Sequence, residues 1–465
     1  MTTALLINDK RETRGWMLYD FANSAFSTTV VTVFLGPYLT GLIASQVGEK
    51  GTFSLLGIPI AAESFFTYCV SISVLLQVFV LPVLGAIADY SNLKKRMMLF
   101  FAVLGALCTI GLFFITGMWY VLGGLVFILA NVAFGASIVF YNAFLPQIAS
   151  EDQRDRVSSR GWALGYIGGG LLLLLNLILY QMRDTIGMDA GMAARLSLAS
   201  AGVWWLVFGY YAIKQLHERG AQRQFPAGET YLKIGFKQLA RTLREFRKYP
   251  MALRFLIAYL LYNDGVQTVI VVSALFGAEE LHMDPSSLIL VILMVQFVGF
   301  FGALLFGAIA RWVGAKRAII ISLLGWSGIA VWAQLSLKSV PEFWLLAALV
   351  AIVLGGTQAL SRSLFSQMIP REREAEFFSF YEISDKGTSW IGTLIFGLVT
   401  QWTGSMRTAI FSLIALFVSG LVILFTVNVP LAIKEAGNEV PENLGGSLHL
   451  PKISRHSSAC SPPDN

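Results

Sequence analysis

The chain has 465 residues, of which 56% are hydrophobic and 13% charged, and its formal net charge is +6. A soluble domain carries about 25% charged residues, so this composition excludes an ordinary soluble domain and indicates a polytopic α-helical membrane protein. Three cysteines and four histidines are scattered along the chain, with neither a disulfide framework nor metal-ligand spacing. No nucleophile–base pair is visible either. We therefore predict that the protein is not an enzyme and uses no cofactor and no metal.

Apolar runs of about 20 residues follow one another along the chain, and each is long enough to cross a bilayer as a helix. Numbered from span 1 to span 12, the predicted runs are 15–44, 64–88, 97–117, 119–146, 157–180, 196–214, 251–277, 287–310, 317–337, 342–368, 376–402 and 406–427. A longer polar break after span 6 divides them six and six. The predicted fold class is an all-α membrane protein built from two pseudo-symmetric six-helix bundles.

This division predicts four regions. They are an N-terminal bundle at 1–214, a cytoplasmic linker at 215–250, a C-terminal bundle at 251–430 and a disordered cytoplasmic tail at 431–465. Apolar residues recur in the linker at helical spacing, among lysines and arginines: Leu232, Phe236, Leu239, Leu243 and Phe246. That pattern predicts an amphipathic helix on the membrane surface, acting either as a regulatory, lipid-sensing element or as a passive tether. The tail is rich in Pro, Ser and Gly, which is typical of disorder.

Lysine and arginine placement predicts the orientation. With the N-terminus inside, 27 of these residues fall on inner segments and 5 on outer loops. The positive-inside rule then places both termini in the cytoplasm, for a protein of the cell (inner) membrane. We call the side with the 27 basic residues the basic face. Because the rule accounts for the net charge, we expect no nucleic-acid partner. The expected partners are the lipid bilayer, a small-molecule substrate and a coupling proton, and the expected state is a monomer.

Two polar motifs interrupt the apolar runs of span 1 and span 7. Asp20 and Asn23, followed by a serine, share one face of a helix because they are three residues apart. The same order recurs at Asp264 and Gln267, followed by a threonine. A carboxylate within an apolar span is costly and usually marks a functional site. We predict that these four residues line a path for substrate or a coupling proton; the alternative for Asp20 is an interfacial or capping position.

Spans 10 and 11 carry the other polar candidates. Arg362, one turn after Gln358, is suited to a substrate carboxylate, or it extends to the lipid headgroups instead. Glu382 and Lys386 are four residues apart in the favourable order for an ion pair, which leaves Asp385 as a net negative charge. These residues predict a proton or cation relay, or alternatively a self-neutralising polar cluster.

Span 5 is rich in glycine. Small residues at such spacing let helices approach closely, so we expect this span to pack tightly against a neighbour. The glycines are Gly161, Gly165, Gly168, Gly169 and Gly170.

The two halves also repeat. Gly85-Ala86-Ile87-Ala88-Asp89 ends span 2 and Gly307-Ala308-Ile309-Ala310-Arg311 ends span 8, and each is followed by a basic cluster. A repeat this long in a helical membrane protein indicates two related bundles.

Twelve spans in two halves, with this Gly-x-x-x-Asp segment and its basic cluster, resemble the major facilitator superfamily. Four further segments are similar to its branch that includes the autophagy-related vacuolar amino-acid effluxers and their bacterial relatives: Trp16–Phe26, Tyr141–Pro146, Tyr262–Gly265 and Gly355–Ser363. The resemblance covers roughly residues 15 to 427. It implies secondary transport by alternating access, with small solutes such as amino acids as cargo.

In the resembled superfamily, the loop after span 2 clamps the inner side when the cavity faces outward. This implies gating roles for five residues: Gly85, Asp89, Lys94, Lys95 and Arg96. Asp89 is expected at the positive N-terminus of span 11, or paired with Arg154 or Arg156. Because Arg311 stands where the second copy would have an aspartate, we expect an asymmetric gate. The alternative is that the basic residues only set the topology.

The leading hypothesis is a secondary active transporter of a small polar solute, such as an amino acid, that is coupled to protons. Translocation of a lipid or lipid-like solute is the alternative within the same class. A non-transporting sensor or scaffold is disfavoured, because it has no need for costly polar residues within its spans.

Overall fold

The computed structural model describes residues 7–48, 51–55, 57–219, 246–386 and 390–440. Within these residues, eleven continuous helices are long and apolar enough to cross a membrane, and span 11 consists of two described pieces. The spans run Lys10–Val47, Ala62–Asp89, Lys94–Phe114, Gly117–Ile148, Arg154–Gln181, Ala190–Gln215, Pro250–Glu279, Pro285–Val313, Ala315–Leu335, Val340–Gln367, Glu374–Lys386 with Trp390–Thr403, and Met406–Thr426. The predicted fold of two six-helix halves is confirmed.

Most spans begin two to six residues before the predicted position, because the prediction followed apolar residues whereas the helices extend into the residues that precede them. In several spans this extension reaches back to a capping polar side chain. Span 1 starts at Lys10 after Asp9, whose side chain accepts hydrogen bonds from the N–H groups of Arg11 and Glu12. Span 6 starts at Ala190 after Asp189, which caps it through the N–H of Met192. Such caps satisfy N–H groups that have no partner within the helix.

Two features near the start of the chain were not predicted. Span 1 is π-helical over Phe26–Phe34, directly after the Asp20 motif. π-Helical turns are rare in proteins overall, and those that occur are often found at functional sites. The loop after span 1 forms an antiparallel hairpin of Thr52–Leu55 and Ile58–Ala61. Its Phe53 packs edge-on against Phe65 and Tyr120, so this loop is attached to spans 2 and 4.

The predicted disordered tail is wrong for its first residues. A helix over Val429–Glu435 is capped by Asn428, and its Ala432 and Ile433 are buried. Asn438 then donates to the backbone carbonyls of Gln367 and Ile369. The polar composition of the tail was misleading, because burial of Ala432 and Ile433 and the hydrogen bonds of Asn438 suffice to attach so short a segment to the C-terminal half. The amphipathic stretch predicted in the linker lies almost wholly outside the described residues.

Tight packing of the glycine-rich span 5 is confirmed, and its neighbour is span 1. A Cβ atom on Gly168 would lie 2.1 Å from the carbonyl oxygen of Phe21, and one on Gly165 would lie 2.7 Å from the hydroxyl of Ser24. A Cβ on Gly161 would lie 2.7 Å from a carboxylate oxygen of Asp20. The missing side chains therefore let span 5 press against the polar motif of span 1.

The two bundles meet along spans 5 and 8 and along spans 2 and 11. A Cβ on Gly170 would lie 3.0 Å from Cβ of Gln296 in span 8. A Cβ on Gly85 in span 2 would lie 2.5 Å from the carbonyl oxygen of Ala375 in span 11. These contacts bring the polar residues of the two halves together.

Candidate transport site between the bundles

An ion pair across the interface joins the two halves. Arg362 of span 10 donates from Nη2 to Asp20 Oδ2 of span 1 at 3.0 Å. Arg362 is 3% and Asp20 7% exposed, so both charges are withdrawn from solvent. Breaking such a buried pair by removing one partner is strongly destabilising. Asp20 and Arg362, which the sequence analysis predicted separately for the site, thus lie in direct contact.

Aromatic rings surround the guanidinium of Arg362. Its Cζ atom lies 4.7 Å from the ring centroid of Trp16, 5.4 Å from that of Trp162 and 5.5 Å from that of Tyr141. The Trp16 indole N–H donates to the backbone carbonyl of Tyr141 at 2.8 Å, and the Trp16 and Tyr141 rings stack with centroids 4.4 Å apart. Cation–π attraction is strongest where the cation is desolvated, and Arg362 is buried, so these rings stabilise its charge.

Span 5 completes the coordination of Arg362. Its Nε donates to the Ser158 hydroxyl and its Nη2 to the Ser158 carbonyl oxygen, both at 3.0 Å. The alternative in which Arg362 extends to the headgroups is therefore wrong, because its guanidinium points into the interface. Ser158 in turn donates to the carbonyl oxygen of Ala359 at 2.7 Å, which is a further tie between the halves.

A second polar contact between the bundles lies on spans 4 and 11. Asn142 donates from Nδ2 to Glu382 Oε1 at 2.8 Å, and both residues are buried. The predicted Glu382–Lys386 ion pair falls outside the described residues, because the Lys386 side chain is not among them.

The third polar group joins spans 7, 10 and 11. Asp385 accepts from the Tyr259 hydroxyl at 2.8 Å and from Asn263 Nδ2 at 3.0 Å. Gln358 donates to Asn263 Oδ1 at 2.6 Å, and Tyr259 stacks on Tyr381 with ring centroids 4.4 Å apart. The carboxylate of Asp385 is therefore held by neutral donors.

Together these three groups form a continuous set, since Gln358 and Arg362 lie one turn apart on span 10, as do Glu382 and Asp385 on span 11. We call it the interbundle network. Its members are Asp20, Asn142, Ser158, Tyr259, Asn263, Gln358, Arg362, Glu382 and Asp385.

Asp264 lies apart from this network. It is 1% exposed, and its Oδ2 accepts from the N–H of Gly392 at 2.6 Å, at the start of the second piece of span 11. Its Oδ1 has no hydrogen-bond partner. Asn23 is buried with an unpartnered Nδ2, whereas Gln267 is half-buried. The structure thus joins Asp20 to the network and leaves Asn23, Asp264 and Gln267 outside it.

The predicted gate residues split into two groups. Asp89 accepts from the N–H groups of Ala375 at 3.1 Å and Glu376 at 2.9 Å, at the N-terminus of span 11. This confirms the first of the two expected positions for Asp89. Lys94 pairs with Glu374 at 3.1 Å. Gly85, Asp89 and Lys94 thus bridge the two bundles.

The remaining gate candidates do not bridge the bundles. The N–H of Lys95 donates to Glu218 at 2.9 Å, and its ammonium donates to the carbonyl oxygen of Leu216. Desolvation raises the pKa of Glu218 above its usual range. Arg96 is exposed, and Arg154 donates to backbone carbonyls rather than to Asp89. The Lys95 contacts fasten the linker to the start of span 3. Arg154, by contrast, reaches the other bundle, because its Nη1 donates to the carbonyl oxygen of Ser366 in span 10 at 3.1 Å.

Several residues of the site escaped the sequence analysis. Tyr259 lies one turn before Asn263, and Ser158 and Trp162 are one turn apart beside the glycines of span 5. Helical spacing from residues already singled out was therefore the signal that could have placed them at the site. Glu374 resembled an ordinary solvated acid in a loop. In the structure it is buried and accepts from both Lys94 and Gln147.

Replacing Gly85 by leucine should separate the bundles at the basic face, because the new side chain meets the backbone of Ala375. Spin labels on cysteines introduced at the exposed positions Arg96 and Lys434 should report a longer distance by pulsed EPR. The control is Gly111→Leu, where a Cβ meets nothing within 4 Å. Equal distances in both variants would contradict a closing role for Gly85.

Comparison with known proteins agrees with this architecture. A family model described as "Vacuole effluxer Atg22 like" matches residues 8–437. The MFS-type transporter YxiO of Bacillus subtilis is 35% identical over 418 residues, covering 89% of this chain and 94% of the relative. Autophagy-related protein 22 of Yarrowia lipolytica is 30% identical over 469 residues, covering 82% of this chain and 78% of the relative.

Solved structures show the same fold at low sequence identity. The proton:xylose symporter XylE has a TM-score of 0.68 at 13% identity, covering 90% of this chain and 96% of the other. A bacterial homologue of the iron transporter ferroportin in an outward-facing state has a TM-score of 0.63 at 14% identity, covering 90% and 99%. Fold and family are those of transporters rather than enzymes. The chain therefore belongs to the Atg22-like family of major facilitator superfamily transporters.

Proposed function

We propose that this transporter carries a small solute with a carboxylate, such as an amino acid, by alternating access, and that protons drive it through Asp20. The observation that carries the proposal is the buried Asp20–Arg362 ion pair between the halves, at 3.0 Å. A buried arginine in an aromatic cage suits a carboxylate ligand. The family description as a vacuole effluxer is consistent with a small-solute cargo.

The ion pair offers a direct route to coupling. A substrate carboxylate that binds Arg362 has to displace Asp20, which then becomes a buried carboxylate without its cation. Uptake of one proton by Asp20 removes that penalty. Proton and substrate thus enter together, and the net charge at the pair is unchanged. Release of the proton re-forms the pair and expels the substrate.

The rest of the interbundle network suits the other end of an amino acid. Glu382 and Asp385 are carboxylates on span 11, beside the span that carries Arg362. Neutral donors, Asn142 and Tyr259, hold them in the described structure. A substrate ammonium would replace these donors with an opposite charge. We propose this polarity, with the carboxylate toward Arg362 and the ammonium toward Glu382 or Asp385.

Alternating access requires the interbundle contacts to break in turn. The contacts at the basic face are Asp89 with the start of span 11 and Lys94 with Glu374. These support a state closed on that face. We propose that the basic face is cytoplasmic, following the positive-inside rule, and that opening there exposes the Asp20–Arg362 pair.

Flux measurements in proteoliposomes test the proposal, with a panel of radiolabelled amino acids at pH 5.5 and 7.5. Asp20→Asn should lose substrate accumulation driven by a proton gradient and keep exchange of internal for external substrate, because asparagine cannot cycle a proton. Asp184→Asn is the matched control, since the Asp184 side chain is 81% exposed in an outer loop. It should keep both activities.

Two outcomes would contradict the proposal. Proton-driven accumulation by Asp20→Asn at the wild-type rate would exclude Asp20 as the coupling group. The parallel variant Asp264→Asn tests the other predicted acid. Loss of accumulation in Asp264→Asn alone would assign coupling to Asp264.

A further inference from the structure

Three arginines from both bundles meet at the basic-face end of the seam between spans 5 and 8. The two spans touch where a Cβ on Gly307 would lie 2.7 Å from Cβ of Ser159. Arg160 follows Ser159 directly, Arg156 lies one turn earlier, and Arg311 lies one turn after Gly307. We call these three residues the arginine triad.

The triad differs from Arg362 because, in the part of the chain that the structure describes, it lacks counter-charges. All three are exposed, and the charges of Arg156 and Arg311 act repulsively on that of Arg160. Among the described residues, no ion-pair partner contacts any of the three, whereas Arg362 pairs with Asp20. Like charges gathered without a counter-charge favour the binding of an anion.

The surface beside the triad identifies the kind of anion. Along span 5, Arg160 heads a helical stripe that continues through exposed Leu171, Leu175 and Ile178. Along span 8, exposed Leu304 lies two turns before Arg311 on the same helical face, beside exposed Phe301 and Leu305. A free anion would make no use of these apolar stripes. A phospholipid would place its phosphate at the triad and its acyl chains along both stripes.

We propose that the arginine triad binds the headgroup phosphate of an anionic phospholipid, which bridges the two bundles at the basic face. The positive charges lie at the level of the headgroups, because the stripes below them face the hydrocarbon. The lipid neutralises repulsion between arginines of opposite bundles, so it favours the state in which these bundle ends are close. The inference is independent of the transported solute.

Lipid-dependent thermal unfolding of the purified full chain tests this. Nanodiscs of pure phosphatidylcholine are compared with nanodiscs in which phosphatidylglycerol replaces a fifth of the lipid. Wild type should melt at a higher temperature with phosphatidylglycerol, and Arg156→Gln/Arg160→Gln/Arg311→Gln should lose this increase. Native mass spectrometry should show phosphatidylglycerol binding reduced about fivefold for Arg160→Gln alone.

The matched control removes the same charge from the same face at exposed sites away from the seam. It is Lys10→Gln/Arg14→Gln/Lys434→Gln, a pair one turn apart on one helix plus one residue of the other half. The control should keep the phosphatidylglycerol effect. If both triple variants lose the phosphatidylglycerol effect equally, the effect comes from the general surface charge of this face, and the proposal is overturned.

Two further results would also overturn the proposal. One is protection of wild type by inorganic phosphate in phosphatidylcholine nanodiscs to the same degree as by phosphatidylglycerol, which would indicate a free-anion site. The other is an unchanged phosphatidylglycerol affinity in Arg160→Gln, measured on protein that melts like wild type in phosphatidylcholine.

Discussion

Replacing Arg362 by glutamine should destabilise the protein by about 3–5 kcal/mol and abolish transport. The variant strands Asp20 as a buried carboxylate without a cation, and glutamine cannot restore the charge-assisted contact at 3.0 Å. It also empties the aromatic cage of Trp16, Tyr141 and Trp162. The loss of stability is measured by denaturant or thermal unfolding in nanodiscs, and the loss of transport by flux in proteoliposomes.

A double-mutant cycle separates the two effects. Asp20→Asn combined with Arg362→Gln removes both charges, so it should recover part of the stability lost by Arg362→Gln alone. It should not recover transport, because it lacks both Arg362, the cation that binds the substrate carboxylate, and Asp20, the group that accepts the proton. A double variant no more stable than Arg362→Gln would show that the pair is not coupled energetically. Restored transport would place substrate binding elsewhere.

Replacing Gly168 by alanine should cost about 1–3 kcal/mol of stability, the usual range for overpacking, although it adds only one methyl group. The new Cβ would lie 2.1 Å from the carbonyl oxygen of Phe21, which is backbone and cannot rotate away. Spans 1 and 5 would have to separate at the level of the Asp20 motif. Thermal unfolding in nanodiscs measures the effect, and flux measurements should show reduced transport because Ser158 and Asp20 move apart.

Gly328→Ala is the matched control. Gly328 is also within a span, and a Cβ there meets nothing within 4 Å. Alanine is favoured over glycine in a helix by roughly 0.5–1 kcal/mol, so this variant should be as stable as wild type or slightly more so. A Gly168→Ala protein with wild-type stability would mean that the contact between spans 1 and 5 is looser than described.

These expectations share one physical origin. In the membrane, helices associate through close packing and interhelical hydrogen bonds. The glycines of span 5 supply the close packing, and the interbundle network supplies the hydrogen bonds and charges. The contacts of Arg362 with Asp20 and Ser158 and of Asn142 with Glu382 cross between the bundles. Each of these stabilises one arrangement of the halves and has to break for the other.

Local features of the sequence determined the twelve spans, the repeat of the two halves and the family. Apolar length decides whether a helix can cross a bilayer, and this is a property of adjacent residues. For Asp89 the sequence left two positions open, the positive N-terminus of span 11 or a pair with Arg154 or Arg156, and the structure selects the first. The packing of span 5 followed from its glycines alone.

Partners across the interface were decided only by the tertiary structure. Asp20 and Arg362 are 342 residues apart in sequence, and each was equally compatible with a lone functional role. The two aspartates that looked equivalent in sequence differ in the structure. Asp20 contacts the other bundle, whereas Asp264 caps the second piece of span 11. The π-helical turn, the hairpin and the docked end of the tail depend on packing against distant spans. Hydropathy measures how strongly each residue prefers water or lipid. These contacts depend instead on which distant residue the folded chain places beside it.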